Sequence, residues 1–162
     1  MKKSTIALFA AAAVCLGLSA FSVKASVTRT NDAISAIGEV AYTEECKEKI
    51  DRALEYYNAL DPNFDLEDRI QHMNEFNAAK IEYARLAIKA ASVADARQTV
   101  EGYSFDDVKK YVTEAREVVD SYLTAEQYSL VENYAELTAL ESEYTSNGST
   151  GGAAEEVSIP MC

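Results

Sequence analysis

A single histidine, His72, limits the chemistry this 162-residue chain can hold. A nucleophile–histidine pair needs an imidazole within reach of a hydroxyl or thiol, and only His72 could supply one. It falls two residues after Ile70 on a helix flank, which reads as a solvated edge position. Zinc and haem sites need several His, Cys or Met ligands. Beside His72 the mature part offers one internal methionine, Met73, and there is no Cys-x-x-Cys-His. Asp61, Asn63, Asp65 and Glu67 alternate like the opening of a calcium loop, since hard cations take oxygen ligands. Such a loop wants Gly at its sixth position and Glu at its twelfth, where Leu66 and His72 stand. The alternation therefore reads as a polar turn followed by a helix cap. Carboxylate pairs are frequent on the predicted helix surfaces, and none is marked for acid–base work. The sequence predicts no catalytic residue, no cofactor and no metal site.

Cysteine usage adds little. Cys15 leaves with the signal described below, so Cys46 and Cys162 remain. Cys46 opens the apolar series Cys46, Ile50, Ala53, Tyr57, Leu60 and reads as a small buried hydrophobe. Cys162 ends a tail and could pair with Cys46 or cross-link chains.

The elements that would carry these residues are helices. Residues 1–25 read as a secretory signal peptide: Lys2 and Lys3 are followed by an Ala/Leu/Phe-rich run, and Val23-Lys24-Ala25 places small residues before a cut at Ser26. Val14 before Cys15 argues against a lipoprotein signal. The expected location is extracytoplasmic or secreted, in a bacterium. Losing Lys2, Lys3 and Lys24 takes the formal charge from −12 to −15. Such a surface repels nucleic acid and anionic lipid, so nucleic-acid binding is excluded as an expectation. No second apolar run approaches the ~20 residues of a membrane span, so no membrane contact is expected once the signal is gone.

Leu66 to Val100 runs without Gly or Pro and predicts one long helix. Phe76, Ala79, Tyr83, Leu86, Ala90, Val93 and Val100 form one helical stripe, and Ile81, Ala84, Ile88 and Ala91 form another. Two stripes predict two sets of neighbours. The alternative is a break at Ser92, where Ser92-Val-Ala-Asp95 has the form of a capping box. Upstream, Thr30 or Asn31 would cap a short helix through Ile34 and Ile37, closed by Gly38. Thr43 caps a second helix that ends near Leu60, and Pro62 marks the turn after it. Downstream, Gly102 ends the long helix and Ser104 with Asp107 forms a capping box. Phe105, Val108, Val112, Ala115, Val119 and Tyr122 then repeat at spacings of 3 and 4. Thr124 and Gln127 cap a last helix, expected to run antiparallel, with Leu130, Tyr134, Leu137, Leu140 and Tyr144 inward.

The two halves overlay weakly as a repeat. Cys46, Ile50, Ala53 and Glu55 fall on Val108, Val112, Ala115 and Glu117, and Glu75, Ala78, Glu82 and Tyr83 fall on Glu136, Ala139, Glu143 and Tyr144. The stretch Ala36–Cys46, and Leu123–Tyr134 with Leu137 and Glu141, resemble the small helical repeats found in large surface proteins of Gram-positive gut bacteria. The resemblance covers roughly residues 31–145 and implies three-helix modules joined by shared helices, serving as spacers or interaction modules. It departs at Asp61–Asp68, where the family has a tight turn. It brings no catalytic residues.

The fold class expected is all-α: two consecutive three-helix units sharing a long central helix in a spectrin-like, coiled-coil manner, or a folded-back five-helix bundle. The divisions are 1–25 signal, 26–91 first unit, 92–145 second unit, and 146–162 a flexible Ser/Gly-rich tail without a sortase-type signal. The expected function is a secreted, non-catalytic spacer or protein-interaction module of the cell envelope, its partner a protein or a wall or host glycan. Leu123-Thr124-x-x-Gln127 also resembles the LTxxQ motif of small helical periplasmic chaperones, which gives the competing function.

Overall fold

A computed structural model of the chain describes residues 23–62 and 67–146. Every regular element among them is helical, so the protein is all-α. The elements are α1 (residues 23–35), α2 (Glu44–Asn58), α3 (Met73–Glu101), α4 (Phe105–Tyr122) and α5 (Tyr134–Ser146). Short 3₁₀ helices of one and two turns occupy Glu67–Arg69 and Ala125–Leu130. No helix of the described residues is long and apolar enough to cross a membrane. The chain divides into two compact units, Met1–Tyr83 and Ala84–Cys162, where the sequence placed the division at 91/92.

In the first unit, α1 is longer than the sequence predicts. Neither Thr30 nor Asn31 caps it: both lie inside the helix. Thr30 is fully buried and its hydroxyl donates to the Ser26 carbonyl at 3.1 Å, an interior arrangement open to threonine. Residues 23–25 of the predicted signal belong to the described part of α1, and residues 1–22 lie outside the description. Gly38, at φ +67°, ends the turn after α1 in the left-handed region that glycine enters without a Cβ clash. Ile34 and Ile37 are both buried. Thr43 then accepts the Cys46 N–H through its hydroxyl at 3.3 Å and starts α2, with Glu44 and Glu45 in the first turn. Cys46, Ile50 and Ala53 are buried along one face, as their spacing predicts.

The long helix begins at Met73 and not at Leu66. The cause lies on α1. Asn31 donates through Nδ2 to the Arg69 carbonyl (3.3 Å) and accepts the Gln71 N–H on Oδ1 (3.0 Å). The Gln71 N–H is thereby bonded to a side chain on α1 instead of to a carbonyl one turn back, and the helical ladder starts after it. From Met73 onward α3 is continuous to Glu101, with no break at Ser92. Its two predicted stripes do not run side by side. Phe76, Ala79 and Tyr83 of the first are buried, then the buried face passes to Ala84, Ile88 and Ala91 of the second, with Ala87 and Ala94. Val93 and Val100, the far end of the first stripe, are exposed. A 3.5-residue rhythm drifts ~20° per heptad against a straight helix, so that stripe walks off the face it started on.

In the second unit, Gly102 (φ +75°) ends α3. Ser104 and Asp107 exchange the reciprocal bonds of a capping box at 3.0 and 3.2 Å and start α4. Val108, Val112, Ala115, Val119 and Tyr122 are buried as predicted, together with Val118. The last helix starts later than the sequence predicts. The Thr124 N–H donates to Gln127 Oε1 at 3.0 Å, but this cap opens the 3₁₀ turn Ala125–Leu130, and α5 follows only from Tyr134. In a 3₁₀ turn, side chains three apart eclipse, which shifts the register. Leu130 is consequently exposed and Val131 takes the inward place, while Leu137, Leu140 and Tyr144 are buried as expected. Phe105 at the start of α4 packs on Tyr144 near the end of α5, and Arg116 reaches Tyr134 at the start of α5. The two helices therefore run antiparallel.

Candidate functional site

His72 sits just ahead of α3, and its carbonyl accepts the Phe76 N–H at 2.9 Å. Its half-exposed ring places Nδ1 3.7 Å from Glu75 Oε1. A cleft of ≈ 340 Å³ beside it is lined also by Ser35, Ile37 and Ala79. A hydroxyl, an imidazole and a carboxylate thus share one surface depression. At 3.7 Å the His72–Glu75 contact is too long for a hydrogen bond that would orient a base. The pair is an ion pair when the imidazole is protonated, at the N-terminal end of a helix.

The alternating oxygen ligands of Asp61, Asn63, Asp65 and Glu67 lie partly outside the description, which omits residues 63–66. Among the described residues, no three His, Cys, Asp or Glu side chains converge as a metal would require. Cys46 is a buried free thiol packed as a small hydrophobe. Cys162 and the tail 147–162 are outside the described residues.

Among the described residues, a polar constellation centred on Arg116 is one whose pairing the sequence did not mark. Arg116 on α4 donates from Nε and Nη2 to the two carboxylate oxygens of Glu141 on α5, at 2.5 and 2.6 Å. Its Nη1 also donates to the Tyr134 hydroxyl (3.2 Å) and lies 3.4 Å from Asp120 Oδ1. The guanidinium stands over the Tyr134 ring at 5.5 Å, and Tyr134 stacks on Tyr128 at 5.1 Å. Tyr128 in turn donates to Asp120 Oδ1 at 3.0 Å, which raises its hydroxyl above the ordinary tyrosine pKa. This fork geometry suits arginine and carboxylate particularly well. The contacts of Arg116 with Glu141 and Tyr134 link α4 to α5, and those of Asp120 with Arg116 and Tyr128 stay within the same unit.

Two tyrosines act as bolts of the same kind. Tyr83 on α3 is buried, and its hydroxyl donates to the carbonyl of Thr43, the α2 cap, at 3.3 Å. Tyr144 on α5 is buried, and its hydroxyl donates to Asp95 Oδ1 on α3 at 2.5 Å, with Gln98 Oε1 3.0 Å from the same oxygen. Burial is the first cause that pushes both hydroxyls above the ordinary tyrosine pKa. Neighbouring Tyr42 adds to it for Tyr83, and Asp95 for Tyr144. Ser92, which the sequence offered as a cap, donates to Glu136 Oε2 at 2.9 Å instead. Asn133 donates to the Arg85 carbonyl at 3.1 Å, while its own Oδ1 is buried without a partner.

No family model, curated protein or solved structure matches the chain.

Proposed function

We propose that the chain is a secreted, non-catalytic spacer or protein-interaction module of a bacterial cell envelope, built from two copies of one helical unit. The observation that supports this reading most is the correspondence of Tyr83 with Tyr144. Both positions are buried, both hydroxyls donate to another element of their own unit (Tyr83 to the carbonyl of the Thr43 cap, Tyr144 to the Asp95 carboxylate on α3), and each ring packs on an aromatic residue next to a helix cap. Tyr42, before the Thr43 cap, lies 5.4 Å from Tyr83; Phe105, after the Ser104 cap, lies 4.8 Å from Tyr144. The buried trio Cys46, Ile50, Ala53 overlays the buried trio Val108, Val112, Ala115. A repeated unit whose conspicuous polar groups fasten its own helices is what a spacer or docking module requires.

Leu123-Thr124-x-x-Gln127 is accounted for by capping of the 3₁₀ turn, so nothing specific favours the chaperone reading. Light scattering from a thermally aggregating client protein separates the two. The full chain at equimolar ratio is expected to leave aggregation unchanged, and to be retained saturably on isolated bacterial wall fragments or on mucin glycans. Suppressed aggregation without such retention would overturn the module reading.

A further inference from the structure

In the first unit, α1 and α2 line an open surface cleft of ≈ 680 Å³, within the volume range of small-molecule sites. Its charge is opposite to that of the rest of the chain. The protein has 15 basic and 27 acidic residues, yet the cleft gathers Arg29, Lys49 and Arg52 around a single carboxylate, Asp32. Lys24 also lines it, but belongs to the stretch read as a signal peptide, and the inference does not depend on it. Arg29 stands over the Tyr56 ring at 5.5 Å, a contact that holds the guanidinium in place while its N–H edge stays available. Lys49 is tied to Glu45 at 2.8 Å, which leaves Arg29 and Arg52 as the principal donors. Among the described residues Arg52 makes no ion pair. Between the cations the wall is apolar, with Ala33 and the face of Tyr56 contributing to it.

We infer that this cleft binds a small amphipathic anion, a hydrocarbon body carrying one carboxylate. The two guanidiniums take the headgroup through charge-assisted bonds, and the alanine and tyrosine surface takes the hydrocarbon. A neutral molecule of the same length forgoes the first term, and a cation is repelled by it. Local positive charge on an otherwise acidic surface also focuses anions onto this one place. The inference is independent of the module reading and survives its failure.

Isothermal titration of the full chain with decanoate, decanol and decyltrimethylammonium, each below its micelle threshold, tests it. Decanoate is expected to saturate at one equivalent, with decanol and the cation weaker by about tenfold or more. Arg52→Gln and Arg29→Gln should each weaken decanoate by about tenfold, and Lys109→Gln on α4 should not change it. Arg52 is exposed, so its variant should fold, which circular dichroism verifies. Ala33→Phe, which fills the cleft without changing charge, should abolish binding. Equal binding of decanol and decanoate, or decanoate affinity unmoved in both arginine variants, would overturn the inference.

Discussion

Arg116 and Glu141 are joined by two parallel hydrogen bonds, Nε to Oε1 at 2.5 Å and Nη2 to Oε2 at 2.6 Å, although 25 residues separate them in sequence. Each side chain is about a quarter exposed, 27% and 26%. The pair is therefore neither a fully screened surface bridge nor a buried ion pair, and the fork geometry places it above the ordinary surface case. A double-mutant cycle of Arg116→Met and Glu141→Gln, read by urea denaturation, should give a coupling energy of about 1–2 kcal/mol. Lysine at 116 should recover less than half of it, because a point charge cannot satisfy both oxygens. A coupling near zero would make the contact incidental.

The buried tyrosines give stability an alkaline limit. With both hydroxyls raised above the ordinary value near 10, the folded state keeps protons that the unfolded state has already lost. Stability from this source is complete below about pH 10 and falls as pH rises through the folded values. Tyr83→Phe and Tyr144→Phe should each cost about 1 kcal/mol at pH 7, the net worth of one hydrogen bond. The double variant should lose stability less steeply between about pH 10 and 11 than the parent. Thermal melts across that range measure it, and an unchanged slope would remove the tyrosines from the account.

Lys80 acts with the opposite sign. It is buried on α3, its ammonium stands over the Phe76 ring at 4.9 Å, and burial lowers its pKa from the ordinary lysine value. The unfolded chain then holds a proton more firmly than the folded one. The desolvation cost is present in full at neutral pH and is relieved as pH rises toward the unfolded value near 10.4. Lys80→Met keeps the length of the stem and removes the charge. It should raise stability by about 1 kcal/mol at pH 7, with a gain that shrinks as pH rises through the lowered folded value and is gone above about pH 10.4. A loss at pH 7 would mean that the cation–ring contact outweighs desolvation.

The parts of the fold that sequence pattern revealed are those whose causes are local. Ser104 with Asp107, and Val108 to Tyr122 at helical spacing, contain the cap and the stripe of α4 within one stretch, so the pattern and the structure agree. The start of α3 depends on Asn31, whose side chain takes backbone bonds from Arg69 and Gln71 about forty positions away, and no periodicity in Leu66–Val100 records that. Leu130 was misplaced for a related reason. A capping box announces a helical start without specifying whether its first turn is α or 3₁₀. Tyr134 and Glu141 were each marked by pattern or resemblance, but nothing in the sequence joined them to Arg116, since a charged residue beside an apolar stripe reads as a solvated flank. The basic cleft likewise depends on two helices meeting, and in sequence its arginines and lysines are diluted by acidic neighbours.

The continuity of α3 past Ser92 has a direct test at Ala91, a buried position 18 residues after the first residue of the Met73–Glu101 helix and 10 before its last. Proline there deletes the N–H that should bond the Ala87 carbonyl and drives its ring against the same carbonyl, at ~3 kcal/mol or more. If Ser92 instead capped a new helix, position 91 would lie outside it and proline would be far better tolerated. Small domains hold only 5–15 kcal/mol in total, so the loss in Ala91→Pro should be large enough to read by hydrogen exchange. Amides of α4 and α5, which share a unit with Ala91, should lose protection by about two orders of magnitude. Glu117→Gln, on the exposed side of α4, supplies the control and should shift stability by no more than about 0.5 kcal/mol. Protection in α4 and α5 that is the same in Ala91→Pro as in the parent would place a helix break at Ser92 and refute the continuous α3.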